Sequence, residues 1–180
     1  LEAVSISHNQ KISKEELELV AQVSPDANID FILKEYQALP LHAKSTAGAY
    51  KLLSKILSSR SSIDTDALYE MYLSLKHHGP SPDGAIYAII VDQLCQRDLE
   101  LVTLHGISYG KDYFELALQA VCDGFHSQRL FNSSGPFNQL FRCMIPRGCI
   151  DKAIYILSIM ESCIGSVKDA ESFSLLIQIF

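Results

Sequence analysis

The stretch Gly79-Pro80-Ser81-Pro82-Asp83-Gly84-Ala85-Ile86-Tyr87-Ala88-Ile89-Ile90-Val91-Asp92-Gln93-Leu94-Cys95 decides the reading of this chain. Two prolines and a glycine in four residues stop whatever precedes them. Tyr87, Ile90, Val91 and Leu94 then fall at i, i+3, i+4 and i+7, one apolar face of a helix. The same alternation of helix and hard stop extends in both directions. Upstream, Ser13 and Glu16 form a capping box that opens a helix through Leu17, Leu19, Val20 and Val23. Ser24-Pro25-Asp26 ends it, and Ile29, Ile32, Leu33 and Tyr36 carry a second helix to Pro40. A third is predicted over 45–58 with Tyr50, Leu53 and Leu57 on one side, broken by 58–62. A fourth is predicted over 64–77 with Leu68, Met71, Tyr72 and Leu75.

Downstream, residues 97–134 read as irregular, cut by Gly106 and Gly110, with one helix rebuilt through Phe114, Ala117, Leu118, Val121 and Phe125. Phe137, Leu140, Phe141, Met144 and Ile145 form the next stripe, Pro146-Arg147-Gly148 ends or kinks it, and Ile150, Ala153, Ile154, Leu157 and Met160 make its partner. Strand signals are almost absent. The expected fold is all-α, built from antiparallel helix pairs joined by short turns.

Composition narrows the function classes. The 180 residues are 48% hydrophobic and 20% charged, which suits a buried core and excludes a disordered chain. The longest apolar run, 85–91, is far below the roughly 20 residues of a membrane helix, so no membrane partner is expected. Fifteen Lys and Arg against 21 Asp and Glu give a formal charge of -6, which argues against broad nucleic-acid binding. The charge is uneven, however. Residues 1–40 hold three basic and seven acidic residues, a local -4, whereas Arg129, Arg142, Arg147 and Lys152 face only Asp151 over 126–152, a local +3. Five cysteines without a C-x-x-C pair read as small buried residues in a reducing compartment, and the sequon at Asn132 has no other sign of secretion beside it. Phe173, Leu176, Ile177 and Phe180 form an apolar helix face at the end of the sequence, which reads as a cut inside a structural unit.

Self-comparison adds a repeat. An aromatic opens successive stripes at Tyr50, Tyr87, Phe137 and Phe173, spaced 37, 50 and 36 residues apart. Gly79-x-x-Pro82-Asp83 precedes Tyr87-x-x-Ile90 and Leu94-Cys95; Phe137-Asn138-x-Leu140-Phe141 precedes Gly148, Ala153 and Met160. This pattern resembles the pentatricopeptide repeat, whose repeats end in G-x-x-P-D and open with Y-N-x-L-I. The likeness covers about half the chain, 50–95 and 137–180. A tetratricopeptide array, the competing solenoid, lacks support because its Trp-Leu-Gly-Tyr signature is absent. The resemblance implies an α-solenoid divided into a degenerate or capping helix pair (1–44), a repeat with the start of the next (45–96), an irregular helical segment (97–134), and a repeat with a truncated successor (135–180).

It also implies single-stranded RNA as a partner, each base read by one residue after the opening aromatic and one at the last position of the repeat. Carried over, the first readers are Lys51, Ala88, Asn138 and Ser174, and the last-position readers are Asp83 and Asp169. Asn138 with Asp169 is similar to a pairing that favours uridine. Lys51 suits a phosphate better than a base, and Ala88 cannot hydrogen-bond one. Where the family stacks bases with branched residues, this chain has Gly48, Ala85 and Gly135, and Glu171 adds an expected repulsion. Lys51/Lys55 and Asn138/Arg142 are i, i+4 pairs, so Lys55 and Arg142 share the candidate RNA-facing surface. Two functions follow from the resemblance: RNA binding in organellar gene expression, in a mitochondrion or chloroplast, or a scaffold that docks protein subunits of a ribosomal, transcription or RNA-processing complex.

No catalytic constellation is expected. Gly106-x-x-x-Gly110-Lys111 is one residue short of a phosphate-binding loop and is followed by Asp112. His77-His78 reads as a helix end, and His8, His42, His105 and His126 lack ligand spacing, so no metal or cofactor is expected. Asp64/Asp66 and Glu15/Glu16/Glu18 read as acidic first turns favourable to helix dipoles.

Overall fold

The computed structural model describes residues 11–59, 64–107, 111–127, 131, 133–163 and 169–180. The break expected over 58–62, together with Gly110, Arg129, Asn132 and His8, lies partly or wholly outside them. Among the described residues the chain is all-α, with no strand. Its helices are α1 (Lys14–Gln22), α2 (Ile29–Ala38), α3 (Thr46–Ser59), α4 (Thr65–His78), α5 (Gly84–His105), α6 (Tyr113–His126), α7 (Gly135–Met144), α8 (Ile150–Ser162) and α9 (Ala170–Ile179). Short 3₁₀ turns at Leu41–Ala43 and Ile145–Arg147 join them.

Caps explain most of the boundaries. The Ser13–Glu16 capping box is formed on both sides, Asn28 accepts from Phe31 N, and Asp64, Asp83, Asp112 and Asp169 cap α4, α5, α6 and α9. Gly148 takes a left-handed φ of 58° after Pro146, the conformation that only glycine adopts without strain. One boundary differs from the sequence reading. The irregular segment does not begin at Arg97, because α5 continues for 22 residues to His105 and stops at Gly106 with φ 85°. Residues 97–105 contain no glycine or proline to end it.

Two compact units are formed, 1–81 and 82–180. In the first, α1 packs on α2 and on α3, and α2 packs on α4. Its core holds Ile32, Leu33, Tyr36, Leu52, Leu53, Ile56, Met71 and Tyr72. The side-chain links Glu16–Ser45 and Val20–Lys55 ascend together along α1 and from the start of α3 to its later turns, so those helices run parallel. In the second unit α5 packs on α6 and α7, and α7 packs on α8 and α9. The links Asp92–Gln139, Cys95–Cys143 and Asp98–Arg147 show α5 and α7 parallel and in register. The alternate helices α1 and α3, α2 and α4, α5 and α7, and α7 and α9 pack side by side.

The repeated aromatics are not equivalent in space. Tyr87 and Phe137 are buried, with Phe131 between them at centroid distances of 6.5 and 5.1 Å. Tyr50 and Phe173 are 42% and 55% exposed. In α3 the buried positions of the first turn go to Gly48 and Ala49 instead, so Tyr50 rotates outward.

Candidate functional site

The junction of α7 and α9 gathers three of the sequence-predicted residues. Asn138 is 3% exposed, on the face of α7 that meets the start of α9. Its Nδ2 donates to Asp169 Oδ1 at 3.3 Å and to Glu171 Oε2 at 3.2 Å. Its Oδ1 accepts from the Ser172 hydroxyl at 2.7 Å. Asp169 is the N-cap of α9, accepting from Ser172 N at 2.8 Å, and its Oδ2 accepts from the Ser134 hydroxyl at 2.6 Å. The Ser134 hydroxyl, with the Ser172 amide and hydroxyl and Asn138, holds the Asp169 carboxyl well below the usual carboxylate range. Arg142, one turn beyond Asn138, pairs with Glu171. Glu171 closes the network: Ser134, Asn138, Arg142, Asp169, Glu171 and Ser172 satisfy one another across two helices.

The other predicted residues lie elsewhere. Asp83 caps α5, accepting from Ala85 N at 3.1 Å and Ile86 N at 2.9 Å. Lys55 is half-buried and its Nζ donates to Val20 O at 2.8 Å, near the end of α1. Lys51 is exposed on α3 beside Tyr50. Ala88 is half-buried and Ser174 exposed. Among the positions that the resemblance implies for base stacking, Gly48 is buried because the Glu16 carboxylate fills the space beside it: a Cβ there would stand 2.1 Å from Glu16 Cδ. Glu16, 1% exposed, accepts from Ser45 N at 2.6 Å, from Ser45 Oγ at 2.7 Å and from Ser13 N at 3.0 Å.

The basic segment is neutralised where it is described. Arg142 meets Glu171, Lys152 meets Glu115, and Arg147 meets Asp98 at 2.8 Å. The last pair is nearly buried, and Arg147 also donates to Cys143 O and lies 4.9 Å from the Phe114 ring centroid. Spacing within one helix could not reveal these acids, since each partner sits 29 to 49 residues away.

Sequence reasoning missed a groove of about 660 Å³ in the second unit. Gln96, Leu99, Glu100, Thr103 and Leu104 of α5 and Gln139 and Arg142 of α7 line it. Further apolar surface is exposed on α8 at Ile150, Ile154 and Tyr155, 43%, 53% and 44%. Among the described residues no three His, Cys, Asp or Glu side chains group as a metal site requires, and no helix is long and apolar enough to cross a membrane. The cysteines are free; Cys95, Cys143 and Cys163 are buried, and Cys122 and Cys149 are half-buried. Compared with protein-family models, with curated proteins and with solved structures, the chain matches none.

Proposed function

We propose that this chain is a stretch of pentatricopeptide-like α-solenoid that performs no catalysis and docks protein subunits of an organellar gene-expression assembly. Parallel alternate helices within each unit support the solenoid reading. So do three links between residues 35 apart, Lys55 to Val20, Thr46 to Ser81 and Ser134 to Asp169. The organelle and the gene-expression setting come from the sequence resemblance.

The observation that carries docking over RNA binding is the closed network at α7 and α9. A base could engage Asn138 or Asp169 only by displacing contacts these groups already make, and Arg142 reaches a phosphate only by leaving Glu171. With Arg147 and Lys152 also paired, the counterion release that drives nucleic-acid affinity has little to draw on. Exposed Ile154, Tyr155 and Leu104 supply apolar area of the kind protein interfaces use.

One observation favours RNA instead. Lys51 has no ion-pair partner among the described residues and stands next to an aromatic ring that is 42% exposed. Titrating the full chain with random and uridine-containing single strands at several salt concentrations separates the two. The docking reading expects no salt-dependent binding, together with protein cross-links from a photoreactive residue placed at Ile154 in native cells. Binding that weakens as salt rises and is lost in Asn138→Ala or Lys51→Ala overturns it in favour of RNA.

A further inference from the structure

The seam between α5 and α7 is pinned at two rungs. Gln139 donates to Asp92 at 2.9 Å on one side, and Arg147 meets Asp98 at 2.8 Å on the other. Cys95 lies midway between the two aspartates on α5, and Cys143 lies midway between Gln139 and Arg147. The register of the parallel helices therefore sets these two cysteines opposite each other. The Cys143 thiol donates to the Cys95 carbonyl at 3.6 Å, so its sulfur touches the main chain of its counterpart. Both side chains are fully buried. Burial, and after it a hydrogen bond with the Cys143 thiol, pushes the Cys95 thiol up.

We propose that Cys95 and Cys143 form a redox-operated lock on this seam: a dithiol at rest, converted by a hydroperoxide into an intramolecular disulfide that fixes α5 to α7. A disulfide needs Cα atoms about 4.4–6.8 Å apart, a separation met only where two backbones nearly touch. The contact of the Cys143 sulfur with the Cys95 carbonyl marks such a place, and side-chain rotation about χ1 then carries one sulfur to the other. With hydrogen peroxide, one thiolate attacks the O–O bond, giving a sulfenic acid and one water. The second sulfur displaces the sulfenic hydroxyl, which leaves as water with the second thiol proton. The two thiols lose two electrons and two protons, and the peroxide takes both to become two waters. Burial sets the threshold for this chemistry. The thiolate is the reacting form and is scarce in a dry core, so the pair reacts only as the seam opens locally. Once formed, the link joins positions 48 residues apart, constrains the unfolded chain and stops the two helices from sliding. The more open Cys122 and Cys149 contact the Tyr155 hydroxyl and the Arg147 carbonyl instead, and they serve as internal controls.

The test treats the dilute full chain with hydrogen peroxide, blocks remaining thiols by alkylation and maps the digest by mass spectrometry. The expected product is a monomer in which the Cys95 peptide is joined to the Cys143 peptide with the loss of two hydrogens. Its melting temperature should rise by several degrees, and dithiothreitol should reverse both changes. Cys95→Ala and Cys143→Ala are each expected to abolish the link and the melting shift. Should either variant fail to fold, the map and melt of the native chain decide alone. Three results overturn the proposal. One is Cys95 and Cys143 recovered as free thiols after the peroxide has oxidised Cys122 and Cys149. Another is a link from either of them to a different cysteine. The third is a Cys95–Cys143 link that leaves the melting temperature unmoved.

Discussion

Gly48 is buried at the start of α3 because a carboxylate occupies the volume its side chain would take. Replacing it with alanine drives a Cβ into Glu16 and ejects a carboxylate that holds Ser45 N, Ser45 Oγ and Ser13 N. Gly48→Ala is predicted to cost about 2–4 kcal/mol by urea denaturation. In a Glu16→Ala background the same change should cost far less, a non-additivity that a double-mutant cycle would detect. Asn138 makes the same point for the second unit. Asn138→Ala removes the buried amide that bridges Ser172, Asp169 and Glu171, and a loss of about 1–3 kcal/mol in stability is expected. Acid exposes the Asp169 contribution. Its folded carboxyl titrates below the unfolded value of about 3.9. The stabilisation is therefore complete above that value and is lost as pH falls through the folded one. Asp169→Asn should flatten the acid limb of a stability–pH curve while leaving the neutral plateau without slope. Asn138 and Asp169 were legible in the sequence as a pair. The burial of Asn138 and the partners of both were not, because Ser134, Glu171 and Ser172 become their partners only when α9 packs on α7.

At the scale of elements, the Asp98–Arg147 pair ties the turn after α7 to α5. Asp98 is 4% exposed and its Oδ2 has no hydrogen-bond partner, so the guanidinium is its main compensation. Arg147→Ala is predicted to destabilise the chain by about 3–5 kcal/mol, since it leaves a buried carboxylate unpaired. Asp98→Asn in the same background should recover part of that loss in thermal melts. Helix positions were readable from capping residues and apolar stripes almost throughout. The length of α5 was not, because its last turns pair Leu99 and Leu104 with Glu100 and Thr103 on a groove, and a half-exposed stripe gives a weak periodicity. The glycine that ends it, Gly106, was visible; that nothing ends it sooner required the structure.

For the molecule as a whole, the two compact units suggest a simple dissection. Residues 82–180 carry their own core, from Ile86, Tyr87 and Phe114 through Phe137, Phe141 and Ile156. Expressed alone, they are predicted to keep a helical circular dichroism spectrum and a cooperative melt; a non-cooperative melt would show that the first unit is needed. The all-α class, the places of most helices and the acidic balance were settled by the sequence alone. Each depends on properties a sequence displays directly: apolar period, the sites of proline and glycine, and counts of charge. Only the tertiary structure decided which aromatics of the repeat are core and which are surface, and that Lys55, Arg142, Arg147 and Lys152 are already engaged. The reason is physical. Whether a polar or basic side chain is free for a partner depends on what lies across from it, and here the groups across from it come from helices roughly 30 to 50 residues away.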